Sequence, residues 1–406
     1  MHYNKNKKIE EKQLGSLVIK IGSGITPRGG SKVYTKTGIP FIRSQNVYPN
    51  GLRLDDIAFI TYSQHDEMEP TKLLPYDVLL NITGASIGRA CVVPKNFKEG
   101  NVNQHVCIIR CKTELNPYFL CYFLNSFKGQ NQINSFQAGG NRQGLNYEQI
   151  KKFRVPFFDT KEQQKIVDTL LPWDKVIDTT EKLIQNKKQL KKYLMQKLLS
   201  GEIRFKKFKN KKWEKASLKK FLKPQMRPID KPDKEYKSLG IRSHGKGIFI
   251  KLVDNPESVM MDTLYQVKEN DLILNITFAW EGAIAIVAKQ HEVGLVSHRF
   301  PTFVFDKEVM IPEYFRYVII GKHFIHKLGL VSPGGAGRNR VLDKKDFLEL
   351  KVNIPLDINE QKKIADLLNS LDNEIQTLEN YLSSFNNQKK GFMQKLLTGK
   401  IRVRIS

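Results

Sequence analysis

The words QKLLSGEIRF (Gln196–Phe205) and QKLLTGKIRV (Gln394–Val403) stand 198 positions apart in a chain of 406 residues. Other words recur in the same order. DVLLNIT (Asp77–Thr83) matches DLILNIT (Asp271–Thr277), NPYFL (Asn116–Leu120) matches IPEYF (Ile311–Phe315), and EQQKI (Glu162–Ile166) matches EQKKI (Glu360–Ile364). Offsets drift from about 194 to 198, as loops of unequal length require. The chain is therefore two copies of one unit. Between the shared words the copies diverge: GASIGRACVVPKNFKEGNVNQH has little in common with FAWEGAIAIVAKQHEVGLVSHR. Each copy has a shared frame and a private set of loops.

Each copy also divides in two. Its first 150 or so residues mix short β-rich runs (VLLNIT, VCIIR, FRVPFF; LILNIT, AIAIVA, TFVFD) with Gly and Pro turns, and a helix follows each NPYFL-type start. The last forty or so are helical. At Ile364, Leu368, Leu371, Ile375, Leu378, Leu382, Phe385, Lys389, Phe392 and Leu396, steps of four and three alternate, and nine of these ten positions are apolar. That is a coiled-coil seam. The matching positions are Ile166, Leu170, Trp173, Ile177, Thr180, Ile184, Lys187, Lys191, Leu194 and Leu198, of which seven are apolar. Pro172 is expected to bend the first of these helices, and Gly201 and Gly399 stand where helix C-caps belong. About 38 helical residues span roughly 57 Å. Two such helices pack on each other most simply as an antiparallel rod, with the β-rich domains near opposite ends.

Lys plus Arg number 67 against 41 Asp plus Glu, a formal net charge of +26. That excess points to a polyanion, with nucleic acid the default. No apolar run is long enough to span a membrane, and MHYNKNKKIEEKQ lacks the apolar core of a signal peptide. Cys91, Cys107, Cys111 and Cys121 read as reduced, buried thiols of a cytoplasmic protein. With His105 they fit no common zinc spacing, so no metal site is expected.

The order of these words resembles the specificity (S) subunit of a type I restriction-modification system. IPFIRSQNV (Ile39–Val47), preceded by GITPRGG, looks like the start of that family's first target-recognition domain, and KKWEKASLKKFL (Lys211–Leu222) like the entry to the second. The N-terminus departs from the pattern in being short and lacking the Trp-containing entry that Trp213 marks in the second copy. The usual closing words appear loosely, as GLNYEQI and VLDKKDF. The resemblance implies an α+β fold: two mixed α/β target-recognition domains separated by two long helices packed as an antiparallel coiled coil, with a pseudo-two-fold internal repeat. The first recognition domain would cover 1–158 and its spacer helix 159–203; the second would cover 204–356 and its helix 357–406. It further implies that each domain reads one half of a split target in double-stranded DNA. The helices would hold the halves apart and dock two methyltransferase (M) subunits, which restriction (R) subunits join. The S subunit would carry no active site, and S-adenosylmethionine, ATP and magnesium would be bound by the partners.

Local motifs do not argue for catalysis. NPYF lacks the second Pro of an adenine-gripping loop, its counterpart IPEYF lacks the Asn, and Pro at the first helical position explains both. GASIGRA lacks the spacing and Lys of a phosphate loop. Pro232–Lys237 (PDKEYK) packs its acidic residues too closely for a nuclease core. A self-contained methyltransferase or nuclease, or a coiled-coil scaffold without sequence reading, are the rival readings.

For base reading the useful side chains are Arg, Lys, Asn, Gln, Ser, Thr and His in loops. The first copy offers Arg43, Ser44, Gln45 and Asn46; Thr83, Ser86 and Arg89; Asn103, Gln104 and His105; and Asn141, Arg142 and Gln143. The second offers Arg242, Ser243, His244 and Lys246; Thr277 and Trp280; Ser297, His298 and Arg299; and Arg338, Asn339 and Arg340. GGNRQG and PGGAGRNR are the strongest pair, because glycines admit close backbone approach. Asn81 and Asn275, shared by both copies, are expected to cap the strand or hold a phosphate. The helix seam is assigned to Ile166, Leu170, Trp173, Ile177, Ile184, Leu194 and Leu198 against Ile364, Leu368, Leu371, Ile375, Leu378, Leu382 and Phe385. From Lys187 to Lys215 twelve Lys or Arg face two Glu, a basic rim for DNA or for a docked partner. The duplicated QKLL words read as a docking end for two copies of one partner.

Overall fold

A computed structural model describes residues 9–137, 144–334 and 340–404. It divides into two compact units, one formed by residues 1–183 with 378–406, the other by residues 184–377. The expected helices are present as Thr160–Leu199 and Ile358–Leu396. The unit boundaries differ from the sequence-based ones because both fall inside these helices. Each unit owns about half of each long helix.

In the first unit a four-stranded antiparallel sheet runs in the order Val18–Ser23, Val106–Cys111, Val78–Asn81, Ala90–Val92. The second unit repeats it with Leu222–Pro224, Thr302–Phe305, Leu272–Leu274 and Ile284–Ile286. The shared words DVLLNIT and DLILNIT are central strands of these sheets. Their unbroken apolar run reflects burial on both faces. Val78 and Leu80 enter the core shared with the helices while Leu79 enters a second core; Leu272 and Leu274 do the same opposite Ile273.

The second core of each unit lies against the private part. In the first unit this is a three-stranded sheet, Ala58–Ile60, Ile39–Ile42 and Asn101–Val102. In the second it is a five-stranded sheet, Arg227–Asp230, Thr263–Gln266, Gly294–Val296, Tyr236–Ile241 and Ile248–Val253. The leading Asp of each word is buried and neutralised by an Arg, but from a different place: Arg110 for Asp77 and Arg227 for Asp271.

NPYFL and IPEYF begin helices Pro117–Asn125 and Pro312–Ile319, each with Pro at its start. In the first, the Asn116 carboxamide oxygen accepts from the backbone N–H of Tyr118 and Phe119, a standard N-cap. GLNYEQI and VLDKKDF, which look dissimilar, form equivalent short helices capped by Asn146 and Asp343.

The long helices pair antiparallel within each unit. In the first, Trp173 meets the rings of Phe385 and Phe392, Asp174 pairs with Lys389, and Glu162 with Arg402. In the second, Lys187 pairs with Glu374, Lys191 with Asp372, and Arg204 with Glu360. Among the seam residues Ile166, Leu170, Ile177, Ile184, Leu198, Ile364, Leu368, Leu371 and Ile375 are buried, while Trp173, Leu194, Leu378, Leu382 and Phe385 are half-buried. At the C-terminal end Met393, Leu396 and Leu397 are buried, and Phe392 stays 40% exposed against Trp173. The first helix continues through Pro172.

The EQ words now have a structural reason. Gln163 donates to the carbonyls of Glu114 and Phe158 and accepts from the Asn116 N–H. Gln361 repeats this with Val309, Pro355 and Ile311. The neighbouring Glu162 is buried and takes a bidentate pair from Arg402, the Arg of the other copy's GKIR word. Glu360 takes the same pair from Arg204 of GEIR, at 2.8 and 2.6 Å. Each closing word is thus held by the opening Glu of the other copy's helix, which is why the units divide inside the helices. Within these words Leu198, Leu396 and Leu397 are buried and both arginines are bound within their own unit, so part of each word closes the fold.

Two further nodes repeat. Tyr122 donates to Asp174, which also holds Lys389; Tyr317 donates to Asp372, which also holds Lys191. Each ties one domain helix to both long helices. Gly201 and Gly399 cap the long helices with φ of 77° and 68°, a conformation that favours glycine. Trp213 lies against Gly201 and Ile9 against Gly399. Ile9 thus takes at Gly399 the place that Trp213 takes at Gly201. The signal was present as KNKK at Lys5–Lys8 and again at Lys209–Lys212, an offset of 204.

Candidate nucleic-acid interface

In the first unit three of the four expected loop clusters converge at one end of the shared sheet. The Asn81 carboxamide donates to the Ser44 carbonyl at 2.8 Å and to the Ser86 hydroxyl at 2.9 Å. Thr83 Oγ1 and His105 Nδ1 are 2.6 Å apart, and the Ile82 N–H donates to the His105 carbonyl. Asn103 joins the Ile42 strand end through its N–H. Thr83 also forms a β-bridge with Gly144, the last residue of GGNRQG. Asn141, Arg142 and Gln143 themselves lie outside the described residues.

These side chains differ in availability. Gln45, Arg89 and Gln104 are exposed. Gln45 donates to the Asp56 carboxylate, and Gln104 is hydrogen-bonded to Thr26 of the GITPRGG word. Arg43, Ser44, Thr83, Ser86 and His105 are half-buried. Arg43 donates to the Asp56 carbonyl and lies over the Tyr34 ring. Asn46 and Asn103 are corrections, being 2% and 6% exposed. Asn46 donates to the carbonyls of Arg53 and Asp56 and accepts from the Arg43 N–H; Asn103 accepts from the His105 N–H. A short polar side chain in a turn satisfies its own backbone first. Arg53, not expected from sequence, stacks on Tyr48 at 3.9 Å with Arg89 on the same ring at 5.2 Å. It also pairs with Glu181.

The second unit builds the corresponding end from different letters. The His244 N–H donates to the Glu281 carbonyl, Gly245 N–H to Gly282, and Ser243 Oγ to the Glu281 carboxylate. The Ile276 N–H donates to the Arg299 carbonyl, and Leu342 N–H to Ile276. Arg340 stacks on Trp280 at 5.3 Å and donates to the carbonyls of Ser332 and Gly329. Trp280 donates to the Thr277 carbonyl, so its ring is positioned by its own loop. Arg242 stacks on Phe249 at 4.9 Å. Arg242, His244, Lys246, His298 and Arg299 are exposed, while Ser243, Thr277, Trp280, Ser297 and Arg340 are half-buried. His244 is held at φ 63°. Arg338 and Asn339 lie outside the described residues.

Asn81 and Asn275 both serve the loop that follows the strand. Asn275 accepts from the Thr277 N–H; Asn81 is fully buried, and its carboxamide oxygen has no partner among the described residues. The four cysteines are free thiols. Burial pushes Cys107, Cys111 and Cys121 up to about 12. Among the described residues no group of His, Cys, Asp or Glu is placed to hold a metal, and no helix is long and apolar enough to cross a membrane.

Each unit thus presents an ordered platform of cationic, amide and hydroxyl groups on a common sheet, with different letters on each. Comparisons with known proteins agree with this picture. A family model described as "Type I restriction modification DNA specificity domain" matches residues 6–190 and again 210–384. A putative type I restriction enzyme MjaX specificity subunit of Methanocaldococcus jannaschii is 24% identical over 97% of this chain and 94% of its own length. The type I restriction enzyme MjaVIII specificity subunit of the same organism is 28% identical over 63% of this chain and 64% of its own. The crystal structure of a type I restriction-modification S subunit from M. genitalium covers 100% of this chain and 99% of its own with a TM-score of 0.60 at 15% identity. A chain from a structural study of type I R-M complex assembly and conformational transition gives a TM-score of 0.56 at 13% identity, over 98% of this chain and all of its own. The family match falls once on each copy of the repeat, and the chain belongs to the type I restriction-modification DNA specificity family.

Proposed function

We propose that each unit reads one part of a bipartite, asymmetric DNA target, and that the paired helices set the number of unread bases between the parts. The observation that carries this is the repeated frame with unlike loops. Two central strands of almost identical sequence end in platforms that share position but not letters. Two readers of one sequence would have no reason to diverge so. Modules on one face of duplex recur about one helical turn, roughly 34 Å, apart.

In this reading the chain is non-catalytic. Two methyltransferase subunits dock on the helix pair, and restriction subunits complete the complex in the cytoplasm. S-adenosylmethionine, ATP and magnesium belong to those partners. The exposed readers are Gln45, Arg89 and Gln104 in one unit and Arg242, His244, Lys246, His298 and Arg299 in the other, with Arg43, Thr83, Ser86, His105, Thr277, Trp280, Ser297 and Arg340 behind them. Arg340 orients on Trp280, as Arg89 and Arg53 do on Tyr48.

Binding to a target duplex and to a random duplex in high salt, with the methyltransferase present, tests the reading. A clear preference for target is expected; equal binding would leave a scaffold. The purified chain alone, given S-adenosylmethionine, magnesium and target, is expected to leave DNA unmodified and uncut.

A further inference from the structure

The segment between the first long helix and the second unit's edge strand Trp213–Ser217 is basic beyond what its neighbours need. Lys206, Lys207, Lys209, Lys211 and Lys212 are all exposed. Yet the segment is an ordered loop. Lys206–Phe208 form a 3-10 turn whose Phe208 is 5% exposed. Arg204, fixed by Glu360, donates to the carbonyls of Lys209 and Lys211 at 3.2 and 2.7 Å. The Leu356 N–H donates to the Lys212 carbonyl. Lys211 is near Asp357 at 3.5 Å, with its side chain 58% exposed; for Lys206, Lys209 and Lys212 no carboxylate partner is present among the described residues. The bidentate pair that closes the unit therefore also holds a row of ammonium groups out into solvent.

We propose that this loop is a phosphate-contact surface, binding the DNA backbone without regard to sequence. It deepens the reading given under Proposed function and rests on the DNA-binding role stated there. Two observations favour DNA over an acidic protein. The loop's aromatic anchor, Phe208, is turned inward, so the loop exposes no aromatic hot spot, and Ile203, 38% exposed, is its one exposed large apolar side chain. Lysine is depleted at protein interfaces, whereas a compact, strongly hydrated ammonium suits phosphate oxygens. The word KNKK also recurs in the sequence of the other copy at Lys5–Lys8, outside the described residues.

The test replaces Lys206, Lys207, Lys209 and Lys212 by Gln in the full chain, leaving Lys211 with Asp357. Affinity is titrated against salt on a random duplex and on one carrying the target found by methylation mapping. Each lost phosphate contact lowers the slope of log K against log salt by about 0.9. The slope should therefore become shallower by about 2 to 4, equally on both duplexes. The same four positions as Arg should restore it. An unchanged slope, or a loss confined to the target duplex, overturns the proposal. So does an unchanged slope with lost methyltransferase assembly, which would make the partner an acidic protein. A thermal unfolding midpoint equal to wild type shows that the variant is folded. Should the wild-type chain show no target preference, the bipartite reading fails while the slope on random DNA still decides this one.

Discussion

At the scale of single residues, the strongest constraint is the buried carboxylate at the start of each long helix. Glu162 and Glu360 have side chains 1% exposed, and each is matched by one Arg. Removing the cation leaves an uncompensated buried charge, which costs far more than the net worth of the pair. Arg402→Met is expected to destabilise the fold by about 3 kcal/mol in denaturant titrations. Glu162→Gln in the same chain should recover most of that loss. Equal destabilisation in single and double variants would show that Arg402 acts through packing instead. The cysteines give a second residue-scale expectation. With burial holding Cys107, Cys111 and Cys121 near 12, the thiolate is scarce at pH 8. A thiol reagent at that pH should modify the native chain slowly and all four cysteines rapidly in denaturant. Fast native labelling would contradict the burial assigned to them.

At the scale of elements, the seam is where sequence and structure agree most closely, because burial along a helix follows a fixed period. Leu368 is 0% exposed and Leu190 is 41% exposed on the partner helix. Leu368→Ala should cost about 2 to 5 kcal/mol, and Leu190→Ala less than about 0.5. Similar costs at the two positions would place the seam elsewhere. Strand positions were also legible: VLLNIT, VCIIR, LILNIT, AIAIVA and TFVFD all contain strands. Periodicity could not reveal which side chains in the polar turns look outward. Asn46 and Asn103 have the composition of readers and are spent on their own backbones, while Arg53 was missed because its value depends on Tyr48 being beneath it. Nor could it show that Arg204 and Arg402 each answer the Glu of the other copy, since that contact joins residues 156 and 240 positions apart.

At the scale of the whole molecule, the repeat is closed by exchange. Each unit is completed by half of the helix that belongs, in sequence, to the other copy. Altering helix length is therefore expected to alter the target and not the readers. Removing a whole number of turns at equivalent exposed positions in both helices should shorten the unread spacer while leaving both half-sites intact. A spacer of fixed length in such variants would show that the helices do not set it. The central claim is that each unit reads its own part of the target. It is tested most directly by mapping methylated adenines genome-wide in cells carrying Gln45, Arg89 and Gln104 replaced by Ala, in comparison with wild type. The account predicts that one part of the bipartite target becomes degenerate while the other part and the spacer are unchanged. Relaxation of both parts together, or of neither, would contradict it.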